Sequence, residues 1–94
     1  MQQIQPGTTD AAQEKHVPVY QIRGDRVTVA VGAAAHPMTQ EHYITWVCLQ
    51  TRQGFQLKRL APGQAPEACF VLSDGDAVEA VYAFCNLHSL WKAP

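Results

Sequence analysis

Three short stretches of this 94-residue chain hold all four of its histidines, and one of them adds a cysteine. They are Glu14-Lys15-His16, then His36-Pro37-Met38 running on to Glu41-His42, and finally Cys85-Asn86-Leu87-His88. Histidine is the commonest metal ligand, and its neutral imidazole suits borderline ions such as iron, copper and zinc. A chain that used histidine only for packing would scatter some of it elsewhere, and here none is spare. The pattern points to one metal ion with up to five protein ligands: His16, His36, His42, Cys85 and His88. His36 and His42 flank a proline-containing loop short enough for both rings to converge. Cys85 and His88 form C-x-x-H, a short chelate loop. A single histidine near a strand end is usually a satisfied or surface residue, so the argument rests on the whole set.

The donor set bears on the metal. A structural zinc site is tetrahedral and closed by four ligands, so five candidates are one too many. Four imidazoles and one thiolate suit a square-pyramidal iron(II), with nitrogens in the plane, sulfur axial and a sixth position open. Copper stays open as well, because blue-copper sites combine two His and a Cys with a weak Met. In such sites a Met follows the Cys and His closely. None does here, and Met38 reads more economically as core.

These side chains need a scaffold. Residues 1–13 are polar and turn-prone, without a periodic apolar face, and read as a flexible N-terminal tail. From Val17 the β-formers come in short runs divided by turn chemistry. Val17–Ile22 and Arg26–Val31 predict a hairpin around Arg23-Gly24-Asp25, with Val27, Val29 and Val31 alternating with Thr28 and Ala30. The Arg-Gly-Asp string is read as turn residues, not as an adhesion motif. A loop at Gly32–Glu41 carries two histidines, followed by strands at His42–Thr51 and Phe55–Leu60. The prolines of Ala61-Pro62-Gly63-Gln64-Ala65-Pro66 lack donors and cannot continue a ladder. Glu67–Leu72 and Ala77–Phe84 are expected to pair around Ser73-Asp74-Gly75-Asp76. No stretch keeps a 3.6-residue apolar period long enough for a helix. About seven strands at this spacing predict an antiparallel sandwich or barrel.

Composition narrows the function. Ninety-four residues make one domain with a thin core, to which a metal held from distant segments would add cross-links. Seven Lys+Arg against eight Asp+Glu leave a net charge of −1, without the basic stripe that nucleic acid or an anionic membrane requires. No apolar run approaches the roughly 18 residues of a membrane helix. The first residues show neither a basic nor an apolar signal region, so the expected location is the cytoplasm. Three cysteines cannot all pair and no C-x-x-C occurs, which fits reduced thiols. Cys48 and Cys69 are expected as small core hydrophobes.

Three motifs in order carry a family likeness. Glu14-Lys15-His16-Val17-Pro18-Val19, His36-Pro37-Met38-Thr39-Gln40-Glu41-His42-Tyr43-Ile44-x-Trp46 and Tyr82-x-x-Cys85-Asn86-Leu87-His88-x-x-Trp91-Lys92 resemble the iron domain of superoxide reductases, desulfoferrodoxin and neelaredoxin. The likeness runs from Glu14 to Lys92 and includes the Leu60-x-Pro62-Gly63-x-x-Pro66 connection. It implies an all-β, immunoglobulin-like antiparallel β-sandwich, with residues 14–94 as the iron-binding domain. It implies one mononuclear iron, with His16, His36, His42 and His88 equatorial and Cys85 axial. The implied reaction reduces superoxide to hydrogen peroxide with an electron from an external, rubredoxin-like donor, in a homodimer or homotetramer.

The same likeness assigns Glu14 to the open iron position in the oxidised state. Lys15 would attract superoxide and orient a protonating water. The Cys85 thiolate would push electron density toward iron, tuned by a hydrogen bond from the Asn86 backbone to the sulfur. A non-catalytic iron-binding or electron-transfer module is the alternative, and a structural zinc sandwich the third reading. Two departures stand out. No cysteine precedes Cys48, so the four-cysteine iron domain of desulfoferrodoxins is not expected, and Ser89 stands where the family usually has glycine. If that position needs a positive φ, serine strains the loop.

Overall fold

The computed structural model describes residues 16–32 and 36–93. The expected tail at 1–13, together with Glu14 and Lys15, lies outside the described residues. The described elements are seven strands: β1 Pro18–Arg23, β2 Arg26–Val31, β3 Ile44–Thr51, β4 Gly54–Arg59, β5 Glu67–Val71, β6 Val78–Cys85 and β7 Ser89–Lys92. They form a three-stranded sheet in the order β1-β2-β5 and a four-stranded sheet in the order β4-β3-β6-β7. Every pairing is antiparallel. This is the expected immunoglobulin-like sandwich.

Alternation builds the core between the sheets. Val27, Val29 and Val31 of β2 point inward, as do Val47 and Leu49 of β3, Phe70 of β5, and Val81, Ala83 and Cys85 of β6. The partners in alternation face out. The first hairpin forms as read, with Arg23 opposite Arg26 and Gly24 at φ 61° in the turn. Pro18 opens an edge strand, where its missing N–H costs no ladder bond.

Three expectations are corrected. Glu67–Val71 does not pair with β6; it joins β2 in the other sheet, with Ala68 opposite Val29 and Phe70 opposite Val27. The intervening loop bonds sideways instead, through Leu72 N–H to the Asp25 carbonyl and Arg52 N–H to the Ala77 carbonyl. A tight hairpin would leave the inner face of β5 in the wrong layer, so the chain crosses the sandwich there. The seventh strand is Ser89–Lys92, a segment too short and too close to the Cys85–His88 turn for local pattern to mark as a strand. Cys48 and Cys69 are half-buried and outside the core cluster, because each alternates with two inward-facing neighbours.

One open corner of the sandwich is closed by side chains. Gln56 of β4 donates to the Val71 carbonyl at 2.9 Å, and Lys58 Nζ donates to the Cys69 carbonyl. The free edge of β5 is thereby covered, which guards it against pairing with other chains.

Candidate metal centre

The crossing pattern gathers the candidate ligands at one end of the sandwich. That end holds the start of β1, the end of β2, the start of β3, the end of β6 and the start of β7, as the pairs Pro18 with Val31, Ile44 with Cys85, and Cys85 with Ser89 show. His16 lies two residues before β1, His36 and His42 in the β2–β3 crossing, Cys85 at the tip of β6, and His88 in the β6–β7 turn.

The four imidazoles form a ring of rings. Centroids are 4.6 Å apart for His16 and His36, 4.7 Å for His36 and His42, 5.1 Å for His42 and His88, and 4.7 Å for His88 and His16. Each neighbouring pair meets edge to face, at 69° to 80°. The diagonal from His16 to His42 is 6.2 Å, near that of a slightly folded square. Ligand atoms of His16, His36, His42 and Cys85 lie within 4.8 Å of one another. His88 borders that group without being within the same span of all four, its Nδ1 3.0 Å from His16 Nε2 and 3.8 Å from Cys85 Sγ.

These separations fit a single ion. Two nitrogens ~2.1 Å from one metal lie about 3.0 Å apart at right angles and about 4.2 Å apart when opposed. The observed 3.0 Å edge matches the first value, and the 4.8 Å span exceeds the second by about half an ångström. The protonation pattern fits as well. His36 Nδ1 is 2.6 Å from the Pro37 carbonyl, which can only accept, so that nitrogen carries the proton. Its Nε2 then keeps a lone pair, and this atom is buried without a hydrogen-bond partner. A metal-binding histidine is held in the same way, its other ring N–H fixed by an acceptor. Burial, reinforced by the neighbouring rings of His16, His42 and His88, lowers the His36 pKa to about 4. The Pro37 hydrogen bond opposes that shift without cancelling it, so the imidazole is neutral and ready to ligate near pH 7.

Local structure holds the His36–His42 loop and the end of β6 in place. Thr39 and His42 exchange backbone hydrogen bonds of 3.0 and 3.2 Å, and the Thr39 hydroxyl adds a contact at 3.2 Å. Gly63 of the Pro-Gly connection donates to the Met38 carbonyl at 2.7 Å, buttressing the same loop from the segment between β4 and β5. Met38 packs against the core, as read, and its sulfur accepts from Ile44 N–H at 3.4 Å. Between the pairs Ile44–Cys85 and Trp46–Phe84 the register slips by one residue, so Thr45 forms a bulge beside Cys85. Such bulges re-aim strand ends next to functional sites.

Two residues take roles that the motifs did not reveal. The Asn86 N–H does not bond the Cys85 sulfur; it donates to the Tyr43 carbonyl at 3.2 Å. The Asn86 side chain accepts from Tyr43 N–H at 3.0 Å and donates to the Glu41 carbonyl at 2.9 Å, clamping the cysteine turn to the histidine loop. Trp91 stacks on His16 with centroids 4.7 Å apart. Asparagine directly after a candidate ligand was the available signal for the clamp, whereas no sequence spacing links Trp91 to His16. Ser89 adopts φ 66°, a left-handed conformation that glycine accepts freely and serine only at a cost.

Comparison with known proteins gives a consistent set of relatives. The family model described as Desulfoferrodoxin matches residues 8–94. A desulfoferrodoxin of Clostridium acetobutylicum is 47% identical over 94 residues, spanning 99% of this chain and 72% of the relative. A superoxide reductase of Pyrococcus horikoshii is 35% identical over 97 residues, covering 84% of each. Among solved structures, the superoxide reductase of Treponema pallidum superimposes with a TM-score of 0.90 at 54% identity, covering 97% of this chain and 75% of that one. The single-iron superoxide reductase of Giardia intestinalis gives a TM-score of 0.70 at 33% identity, covering 84% and 94%.

Proposed function

Because this chain belongs to the desulfoferrodoxin family, we propose that it is a superoxide reductase, converting superoxide to hydrogen peroxide at one mononuclear iron. The observation that carries the proposal is the square of four imidazoles closed by a thiol at one end of the sandwich. His16, His36, His42 and His88 would hold the iron through ring nitrogens, and Cys85 through its thiolate. An iron bound by these residues would supply the one-electron chemistry by which superoxide, with two protons, becomes hydrogen peroxide, the electron being restored by an external donor.

The chain's own residues set the conditions for that chemistry. The His36–Pro37 hydrogen bond keeps the Nε2 lone pair turned inward. Cys85 is fully buried, so its sulfur is shielded from water and, bound to the ion, would donate electron density to it. The Asn86 clamp and the Thr45 bulge keep the sulfur and the histidine loop at a constant separation. Superoxide is an anion and the net charge of the chain is −1, so attraction requires a local cation. Lys15, adjacent in sequence to His16, would fill that role and assist proton delivery, and Glu14 would serve as a further carboxylate ligand to the oxidised ion. The electron arrives from a small rubredoxin-like protein, and the chain works as a cytoplasmic homo-oligomer.

Two measurements test the proposal in sequence. Metal analysis on anaerobically purified protein should find one iron per chain. Pulse radiolysis should then show a fast bimolecular reaction of the ferrous protein with superoxide. A protein that stores iron or passes electrons without turnover would show no such phase, and a sealed zinc site would fail the first measurement.

A further inference from the structure

Trp91 is the largest fully buried side chain among the described residues, 1% exposed, yet it is not part of the main apolar cluster. It is buried against the histidines instead. Its ring lies nearly parallel to that of His16, with an interplanar angle of 20°. Its indole N–H donates to the backbone carbonyl of His88 at 3.1 Å. One side chain therefore touches the first and last of the clustered histidines, which are 72 residues apart in sequence and whose ring nitrogens come within 3.0 Å of each other.

We infer that Trp91 is a positioning residue that sets His16 and His88 in register with each other. This role rests on the proposed function of these two histidines as metal ligands. A flat stack fixes the plane of the His16 ring, because tilting it would lift it off the indole face. The hydrogen bond draws the His88 carbonyl toward β7 and so fixes the turn from which the His88 ring hangs. Both actions require tryptophan. Indole alone combines a broad apolar face with an N–H donor that has no competing acceptor. Phenylalanine would keep the face and lose the donor, and leucine would lose both. Supporting groups of this kind typically govern metal affinity by about 10–100-fold.

The test is cobalt(II) binding, followed by competition with a chelator and by the visible spectrum of the loaded protein, for the parent chain, Trp91→Phe, Trp91→Leu and Phe70→Leu. Phe70 is equally buried but belongs to the main core, so its truncation reports general destabilisation. Trp91→Leu should weaken binding about 10–100-fold, and Trp91→Phe by a smaller factor of about 3–10 with a shifted spectrum, because the His88 carbonyl has lost its donor. Phe70→Leu should leave affinity within about twofold, since it shares no partner with the site. Should Trp91→Leu fail to fold by circular dichroism, Trp91→Phe decides alone. Parent-like affinity and spectrum in a folded Trp91 variant, or an equal loss in Phe70→Leu, would overturn the inference. A parent chain that binds no cobalt would instead refute the metal centre itself.

Discussion

Ser89 offers a perturbation whose size follows from the backbone. It directly follows His88, opens β7 and pairs with Cys85 across the three-residue loop Asn86-Leu87-His88. Its φ of 66° makes it the one non-glycine residue with positive φ among the described residues. The left-handed conformation costs an ordinary L-residue roughly 1–2 kcal/mol, because Cβ crowds the following carbonyl. Replacing Ser89 with glycine removes that cost but adds chain entropy to the unfolded state, worth about 0.4–1 kcal/mol. The net expectation for Ser89→Gly is a gain of about 0.5–1 kcal/mol, or roughly 2–8 °C in Tm for a domain of this length. Thermal unfolding should be followed by far-UV circular dichroism on chelated protein, because bound metal would add its own stabilisation. Ser89→Ala is the control: it keeps Cβ and loses only the hydroxyl, so its Tm should stay within a few degrees of the parent. A Tm for Ser89→Gly equal to or below that of the parent would refute the strain argument.

Three further outcomes are expected. Cys85→Ser should abolish the sulfur-to-iron charge-transfer absorption of the oxidised, iron-loaded protein, and persistence of that band would mean that sulfur does not ligate. Lys15→Ala should slow the reaction with superoxide and flatten its dependence on ionic strength without changing iron content; an unaltered rate constant at low salt would remove Lys15 from the mechanism. Chelated protein should lose stability as pH falls from 6.5 toward 4, because the unfolded chain protonates His36 at its ordinary pKa while the folded chain resists until about 4. The loss should reach about 3 kcal/mol and be absent above that window, so equal urea midpoints at pH 7 and pH 4.5 would contradict it.

What was legible from the chain alone has a common origin: it depends on residues close together in sequence. The alternation of Val27, Val29 and Val31 sets the inward face of β2 whatever its neighbours are. Gly24 in Arg23-Gly24-Asp25 marks a turn because it accepts a positive φ. The chemistry of the candidate donors, four imidazoles and a thiol, is likewise a property of the residues themselves, and it already limits which ions they could hold.

Tertiary structure decided everything that joins distant segments. Whether β5 pairs with β2 or β6 depends on which layer must receive Ala68 and Phe70, and local pattern is the same in both cases. The outward placement of Cys48 and Cys69 follows from that layering. The tautomer of His36 rests on one carbonyl, and the clamp of Asn86 on backbone 43–45 residues away. The stack of Trp91 on His16 brings together opposite ends of the described chain. A sequence specifies which side chains can bind an ion; only the crossing of strands between two sheets gathers them at one end of the fold, because no local segment supplies more than two of the five.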